Sequence, residues 1–121
     1  MKIIEMVLSY DYDLTIKDHN PVYRGEDNTT AIRISGVIDS THDYFLYRNL
    51  NGETKKYKLI NSYGYLSLVL TKDFLSSGGI AYLQIGEEWY EKVSDRDIHR
   101  VNSTSIAVLN INDSFLNEQK I

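Results

Sequence analysis

Apolar and polar side chains alternate along most of this chain with a period of two residues, the pattern of β-strands that bury one face. One face of the first such segment carries Met6, Leu8, Tyr10 and Tyr12. We expect a strand there, followed by a long polar connection, TIKDHNPVYRGEDNTT, which holds the only proline. Within that connection, residues 22–24 are expected to form a short pairing segment.

Alternation resumes in TAIRISGVI, where Ile32, Ile34 and Ile38 share one face. Gly36 inside this strand predicts a bulge or the close approach of another backbone. The following segment, YFLYRNLNGETKKYKL, is predicted to be a hairpin that turns at Asn51 and Gly52, because both residues tolerate positive φ angles.

Residues 66–70 form the next predicted strand, and a short helical corner near residues 71–77 follows it. Thr71 is a suitable N-cap, and Leu75 is expected to anchor the corner in the core. Gly78 and Gly79 end it before the strand IAYLQI, so that the corner moves the chain from one sheet position to another. EEWYEKV is predicted to be a weaker strand, SDRD a charged turn, and STSIAVLNI the final strand.

The spacing of these segments indicates the fold class. About seven to nine short strands at intervals of about 8–12 residues are typical of an antiparallel β-sandwich. Ten tyrosines against one proline also favour strands. The sequence therefore predicts an all-β antiparallel sandwich, with one short helical corner, as a single domain over residues 1–121, in which residues 116–121 fit the start of a linker.

Composition excludes several classes of function. The net charge is −4 and the isoelectric point about 5.3, which argues against a general nucleic-acid binder. The absence of cysteine excludes disulfides, thiol catalysis and cysteine-based zinc sites. The apolar runs are too short for a signal-peptide core or a membrane span, so we expect synthesis in the cytoplasm and no membrane partner.

Candidate catalytic or metal-binding groups are scattered. The three histidines, His19, His42 and His99, fall in predicted turns or polar segments without metal-ligand spacing, and we interpret them as exposed polar residues.

Two pairs of acids have oxygens that suit a hard cation such as calcium. They are Asp11 with Asp13 and Asp95 with Asp97. A solvated face or turn-forming aspartates account for them more simply. The SSGGI stretch lacks the spacing of a phosphate loop and precedes a strand. From these observations together we expect no cofactor and no metal.

Aromatic residues are the remaining candidates for binding, because they combine a flat apolar body with a polar tip. The set comprises Tyr10, Tyr12, Tyr44, Tyr47, Trp89 and Tyr90. Most are expected to fill or cover the core. Trp89 and Tyr90 are bracketed by charged residues, and they are therefore the predicted binding patch.

The second half of the chain resembles the N-terminal domain of phage baseplate upper proteins, found in tailed phages of Gram-positive bacteria. The resemblance covers residues 29–115 and lies in four successive stretches: NLNGETKKYKL, GYLSLVLTKDFL, GGIAYLQI and VNSTSIAVLNINDSF. It implies an immunoglobulin-like β-sandwich that docks onto the hub of the tail tip. Longer members continue into a helical linker and a distal part that carries receptor-binding proteins. The family has no catalytic residues to transfer.

Three hypotheses follow. The first is a non-enzymatic structural protein of the phage tail tip or baseplate, made in the host cytoplasm, present in the virion, and assembled with other tail proteins and with copies of itself. The alternative is a carbohydrate-binding sandwich module whose tyrosines and Trp89 contact a host surface glycan. The third is a small enzyme, for which no acid and base pair can be named.

Overall fold

The computed structural model describes residues 1–18, 20–38, 44–86 and 104–113. The strands in this part of the chain are β1 (Lys2–Leu8), β2 (Leu14–Asp18), β3 (Val22–Tyr23), β4 (Thr30–Gly36), β5 (Tyr44–Asn49), β6 (Thr54–Lys58), β7 (Ile60–Ser62), β8 (Tyr65–Val69), β9 (Gly79–Gly86) and β10 (Ala107–Asn112). The predicted weaker strand at residues 87–93, the turn at 94–97 and the linker at 116–121 lie outside the described residues.

The strands form two five-stranded sheets, which confirms the all-β class. The first sheet has the order β2-β1-β4-β8-β7, and the second has the order β3-β10-β9-β5-β6. Side chains from both sheets meet in one apolar core, as in a sandwich. Ile4, Met6 and Ile34 contribute from the first sheet, and Phe45 and Leu83 from the second, all with no exposed surface.

Both sheets are mixed, so the predicted antiparallel arrangement is confirmed for most of the described strand pairs and is wrong for two. β1 pairs with β4 in parallel, and β3 pairs with β10 in parallel. A parallel pair needs a crossover connection, which the chain between β1 and β4 provides. The stretch predicted to be a long connection contains β2, which the sequence reading missed, and β3, which confirms the predicted pairing segment.

The first strand is shorter than predicted. β1 ends at Leu8, and Tyr10 and Tyr12 lie in the turn that follows instead of on the buried face of the strand. The turn is closed by a hydrogen bond from the Ser9 N–H to the Asp13 carbonyl at 2.9 Å. Tyr10 and Tyr12 continue the alternation of β1 in the sequence, so the pattern does not distinguish two tyrosines in a turn from two further strand positions.

The close backbone approach predicted at Gly36 is confirmed. Gly36 has a φ of +107°, and a Cβ atom placed on it would lie 2.2 Å from the carbonyl oxygen of Leu8. Gly36 is the register partner of Leu8 at the end of the parallel β1–β4 pair. Only a residue without a side chain permits this contact.

The predicted hairpin is confirmed as β5 and β6, with Gly52 at a φ of +82°. The buried Asn49 side chain stabilises the turn, since its Oδ1 accepts hydrogen bonds from the N–H groups of Asn51 and Glu53, both at 3.0 Å. Phe45 and Tyr47 share the buried face, as predicted.

The segment between β8 and β9 moves the chain from the first sheet to the second, as predicted, but it consists of turns. Two helix-like backbone bonds lie in it, from the Leu75 N–H to the Thr71 carbonyl at 3.1 Å and from the Ser76 N–H to the Asp73 carbonyl at 3.4 Å. The Thr71 hydroxyl accepts from the Phe74 N–H at 3.4 Å. The helical corner near residues 71–77 is therefore not confirmed. Phe74 and Leu75 are buried and anchor the corner in the core.

Candidate interaction surfaces

Most of the candidate residues considered from the sequence, including the predicted patch of Trp89 and Tyr90, lie outside the described residues. These are Trp89, Tyr90, Asp95, Asp97, His19, His42 and His99. Asp11 and Asp13 are described and lie in the exposed turn after β1. Within the described ranges, no group of three or more His, Cys, Asp or Glu side chains is placed to hold a metal ion.

The described tyrosines separate into core and surface residues. Tyr47 is buried in the core, whereas Tyr44 is half-buried on the outer face of β5. Tyr10 is 85% exposed, and Tyr63, which the sequence reading did not select, is 98% exposed. Tyr63 and Gly64 both have positive φ angles in the turn between β7 and β8. The Tyr-Gly pair at a turn between two short strands was the signal that could have identified it.

One polar cluster fastens the β8–β9 corner to the edge of the second sheet. The Tyr57 hydroxyl donates to Asp73 Oδ2 at 2.6 Å, and Lys55 Nζ donates to Asp73 Oδ1 at 3.2 Å. The hydrogen bond from Tyr57, followed by that from Lys55, lowers the pKa of the Asp73 carboxyl. Burial, followed by the hydrogen bond to Asp73, raises the pKa of Tyr57.

Three aromatic rings pack together beneath the polar cluster of Tyr57, Lys55 and Asp73, which we call the clamp. The Tyr57 and Tyr47 ring centroids each lie 5.1 Å from that of Phe74, in tilted arrangements. Such offset ring contacts add stability beyond the area that they bury. The Tyr57 phenol is kept neutral and the Asp73 carboxylate ionised, and each group is the hydrogen-bond partner of the other. The arrangement of the clamp accounts for holding the corner in place.

The outer face of the first sheet mixes apolar, small polar and charged side chains, and its central charges are paired. Arg33 on β4 forms an ion pair with Glu5 on β1, and its guanidinium lies 5.1 Å from the ring centroid of Tyr65 on β8. Val69 is 38% exposed and Ile60, on the edge strand β7, is 63% exposed. This face therefore presents apolar surface around a neutralised ion pair.

The outer face of the second sheet is cationic, and we refer to the outward positions of β5, β6, β9 and β10 as the basic face. Its charged residues are Arg48, Lys56 and Lys58, and none of the outward positions holds a carboxylate. The ammonium groups of Lys56 and Lys58 lie 4.5 and 5.9 Å from the ring centroid of Tyr44. Leu46, Tyr82 and Val108 supply apolar surface beside these charges.

The turn at residues 9–13, which we call the acidic turn, is exposed along its length. It holds Asp11 and Asp13, with Tyr10 beside them. The turn is well ordered by hydrogen bonds: the Tyr12 N–H donates to the Ser9 carbonyl at 3.1 Å, and the Ser105 N–H donates to the Tyr12 carbonyl at 2.7 Å. The latter bond ties the turn to the start of β10 in the other sheet.

The edge strands differ in how they are protected from pairing with other chains. The edge strand β6 carries lysines at positions 55, 56 and 58, and the edge strand β3 is only two residues long. Charged side chains and short length both discourage unwanted strand pairing. β7 (Ile60–Ser62) is uncharged and exposed at all three residues. The remaining edge strand, β2, carries Lys17 and Asp18. Among the described edges, β7 is therefore the one best suited to accept a partner strand.

Comparisons with known proteins place the fold. No protein-family model matches the chain, and no curated protein matches it by sequence. A solved structure of the N-terminal domain of phage TP901-1 ORF48 is similar, with a TM-score of 0.51 and 15% sequence identity. The similarity covers 93% of this chain and 99% of that one, so it extends over the whole domain. In the described residues, no helix is long and apolar enough to cross a membrane.

Proposed function

We propose that this chain is a non-enzymatic structural protein of a phage tail tip or baseplate, in which it serves as a docking module for other tail proteins. The observation that carries the proposal is the shared fold with the N-terminal domain of phage TP901-1 ORF48 over nearly the full length of both chains. The four sequence stretches that resemble baseplate upper proteins support it independently.

The two five-stranded sheets support a more specific description, an immunoglobulin-like sandwich whose outer surfaces bind neighbouring virion proteins. The outer face of the first sheet, on which Val69 and Ile60 are exposed, continues into the uncharged edge of β7, and a partner strand there would add backbone hydrogen bonds to side-chain contacts. In this proposal the chain is made in the host cytoplasm, becomes part of the virion, contacts copies of itself, and supports host attachment through its partners.

The first experiment locates the protein. Purified virions are analysed by mass spectrometry, and antibody labelling is followed by electron microscopy. We expect the protein at the tail tip and expect particles without it to have defective tails. Its absence from purified virions would refute the proposal.

A second experiment tests the docking edge with a matched pair of variants. Ile60 on β7 and Leu50 in the β5–β6 turn have similar exposure, 63% and 62%. In phage that carry Ile60→Lys we expect a loss of the protein from the virion, because a charge on the edge opposes strand pairing. Leu50→Lys should be incorporated normally. Equal incorporation of the two variants would show that β7 is not the docking edge.

One feature favours the carbohydrate-binding alternative as a second candidate. Tyr10 follows the end of β1, and Tyr63 precedes the start of β8, at the same end of the first sheet. Their turns are separated by about three strand spacings, or roughly 14 Å. Exposed tyrosines at one end of a sandwich suit a glycan. Calorimetric titration with host wall polysaccharide should show binding that is lost in Tyr63→Ala, and no binding at millimolar sugar would eliminate this candidate.

A further inference from the structure

We propose that the basic face of one copy of this chain binds the acidic turn of a second copy, so that the protein associates head to tail. The proposed function includes contacts between copies of the chain, and this assignment names the two surfaces that make such a contact. It rests on the proposed function only for its biological setting. The contact itself is a property of the purified chain.

The charge distribution is the first argument. The chain has a net charge of −4, yet the outward positions of β5, β6, β9 and β10 include three cationic residues and no carboxylate. Arg48 and Lys58 are exposed and form no ion pair with any residue in the described part of the chain. Complementary charge across an interface steers encounter and selects the partner.

The acidic turn supplies the complement. Asp11 and Asp13 are both exposed, on either side of Tyr12 in the sequence of the turn. The hydrogen bonds at Ser9 and Ser105 hold the turn in place, so little conformational entropy is lost when it binds. Tyr10, 85% exposed at the tip, contributes apolar area beside the apolar residues of the basic face.

Among the ion pairs between described residues, none joins the acidic turn to the basic face within one molecule. The acidic turn is tied to β10 through Ser105, whereas the cationic residues lie on β5 and β6. β10 and β5 are two strand spacings apart, roughly 10 Å between backbones, and β6 lies one spacing further away. The turn projects from the end of the sandwich and the basic face lies on its side, so an end-to-face contact between copies uses two different patches and is heterologous.

The size of the surface indicates a weak contact. Four strands at their usual spacing and about five residues of length give a projected area of roughly 20 Å by 17 Å. Stable interfaces bury about 800 Å² of accessible surface on each partner. We therefore expect a dissociation constant in the micromolar range or weaker, with a strong dependence on salt because the charges are exposed.

Sedimentation velocity on the purified full chain tests the proposal directly. The wild type is examined over a concentration series at low salt, about 20 mM, and at about 500 mM, where the screening length falls from tens of ångströms to a few. We expect reversible association at low salt that is lost at high salt.

Charge-reversal variants identify the two surfaces. Arg48→Glu with Lys58→Glu alters the basic face, and Asp11→Lys with Asp13→Lys alters the acidic turn. Each double variant alone should associate at least tenfold more weakly than the wild type. A 1:1 mixture of the two should associate again, because each now carries the complement of the other.

The control is Lys17→Glu with Lys72→Glu, which changes the net charge as much as the basic-face variant does, at exposed positions elsewhere. This control should retain association. A monomer at every concentration and salt, association unaffected by the variants, or failure of the mixture to associate would each overturn the proposal. Because this assay uses no virion, its failure is distinct from the absence of the protein from phage particles.

Discussion

Gly36→Ala adds a single methyl group, and the structure predicts that this small change lowers the free energy of unfolding substantially. The new Cβ would lie 2.2 Å from the carbonyl oxygen of Leu8, 3.0 Å from its nitrogen and 3.1 Å from its carbonyl carbon. All three are backbone atoms of the parallel partner strand, so no side chain can rotate to relieve the contact. The strands must separate at the point where the Val37 N–H also donates to the Leu8 carbonyl, at 2.9 Å.

The magnitude follows from two contributions. A residue with a Cβ at positive φ costs about 1–2 kcal/mol. Weakening one or two hydrogen bonds of the β1–β4 pair adds about 1 kcal/mol each. We therefore expect Gly36→Ala to lower the free energy of unfolding by about 2–4 kcal/mol, and the midpoint of thermal unfolding by roughly 10 °C.

Gly64→Ala is the matched control, because Gly64 has a φ of +80° with no atom within 4 Å of a Cβ placed on it. It should cost only the conformational part, about 1–2 kcal/mol. Guanidinium unfolding followed by far-ultraviolet circular dichroism gives both values, with equal m-values as the check on two-state behaviour. If the two variants agree within about 0.5 kcal/mol, the reasoning from steric overlap at Gly36 is wrong.

Four further variants test other parts of the structure by the same unfolding assay. Tyr57→Phe should cost about 1 kcal/mol at neutral pH by removing the hydrogen bond to Asp73; an equal stability would show that the clamp contributes nothing. Because the pKa of Tyr57 is raised, its contribution to the free energy of unfolding is present below its ordinary pKa near 10 and is lost as the pH rises above that value. Tyr57→Phe should therefore reduce the fall in the free energy of unfolding with pH in that range. Phe74→Ala should cost about 3–5 kcal/mol, since it removes the ring that packs against two tyrosines, and a loss below about 1 kcal/mol would contradict that packing. Thr30→Val should stabilise the protein by about 1 kcal/mol, because the buried Thr30 hydroxyl has no hydrogen-bond partner among the described residues, and a destabilised variant would point to a partner. Asn49→Ala should cost about 1–3 kcal/mol by leaving two turn N–H groups without their acceptor, and no change would mean that solvent replaces it.

The candidate surfaces could be predicted from the sequence only in part. Asp11 and Asp13 were recognised as a pair of acids, because a two-residue spacing is visible along the chain, but the predicted first strand ran through Tyr12 and the turn itself was not placed there. The basic face was not recognised, because its members come from strands that are distant in sequence and adjacent only through the order of the second sheet. Tyr63 was missed for a similar reason, since its exposure depends on the short strand β7 pairing with β8. The Trp89 and Tyr90 patch stays a prediction.

The sequence by itself determined the all-β class, the β5–β6 hairpin, the buried face of most strands and the special role of Gly36. Each of these depends on side-chain alternation or on the φ preferences of single residues, which are properties of neighbours along the chain. Only the tertiary structure decided that β1 pairs in parallel with β4, that Tyr10 and Tyr12 leave the strand, and that residues 71–77 form turns. Strand pairing is made by backbone hydrogen bonds that every residue except proline can form, so the side-chain pattern carries little information about which strand lies beside which.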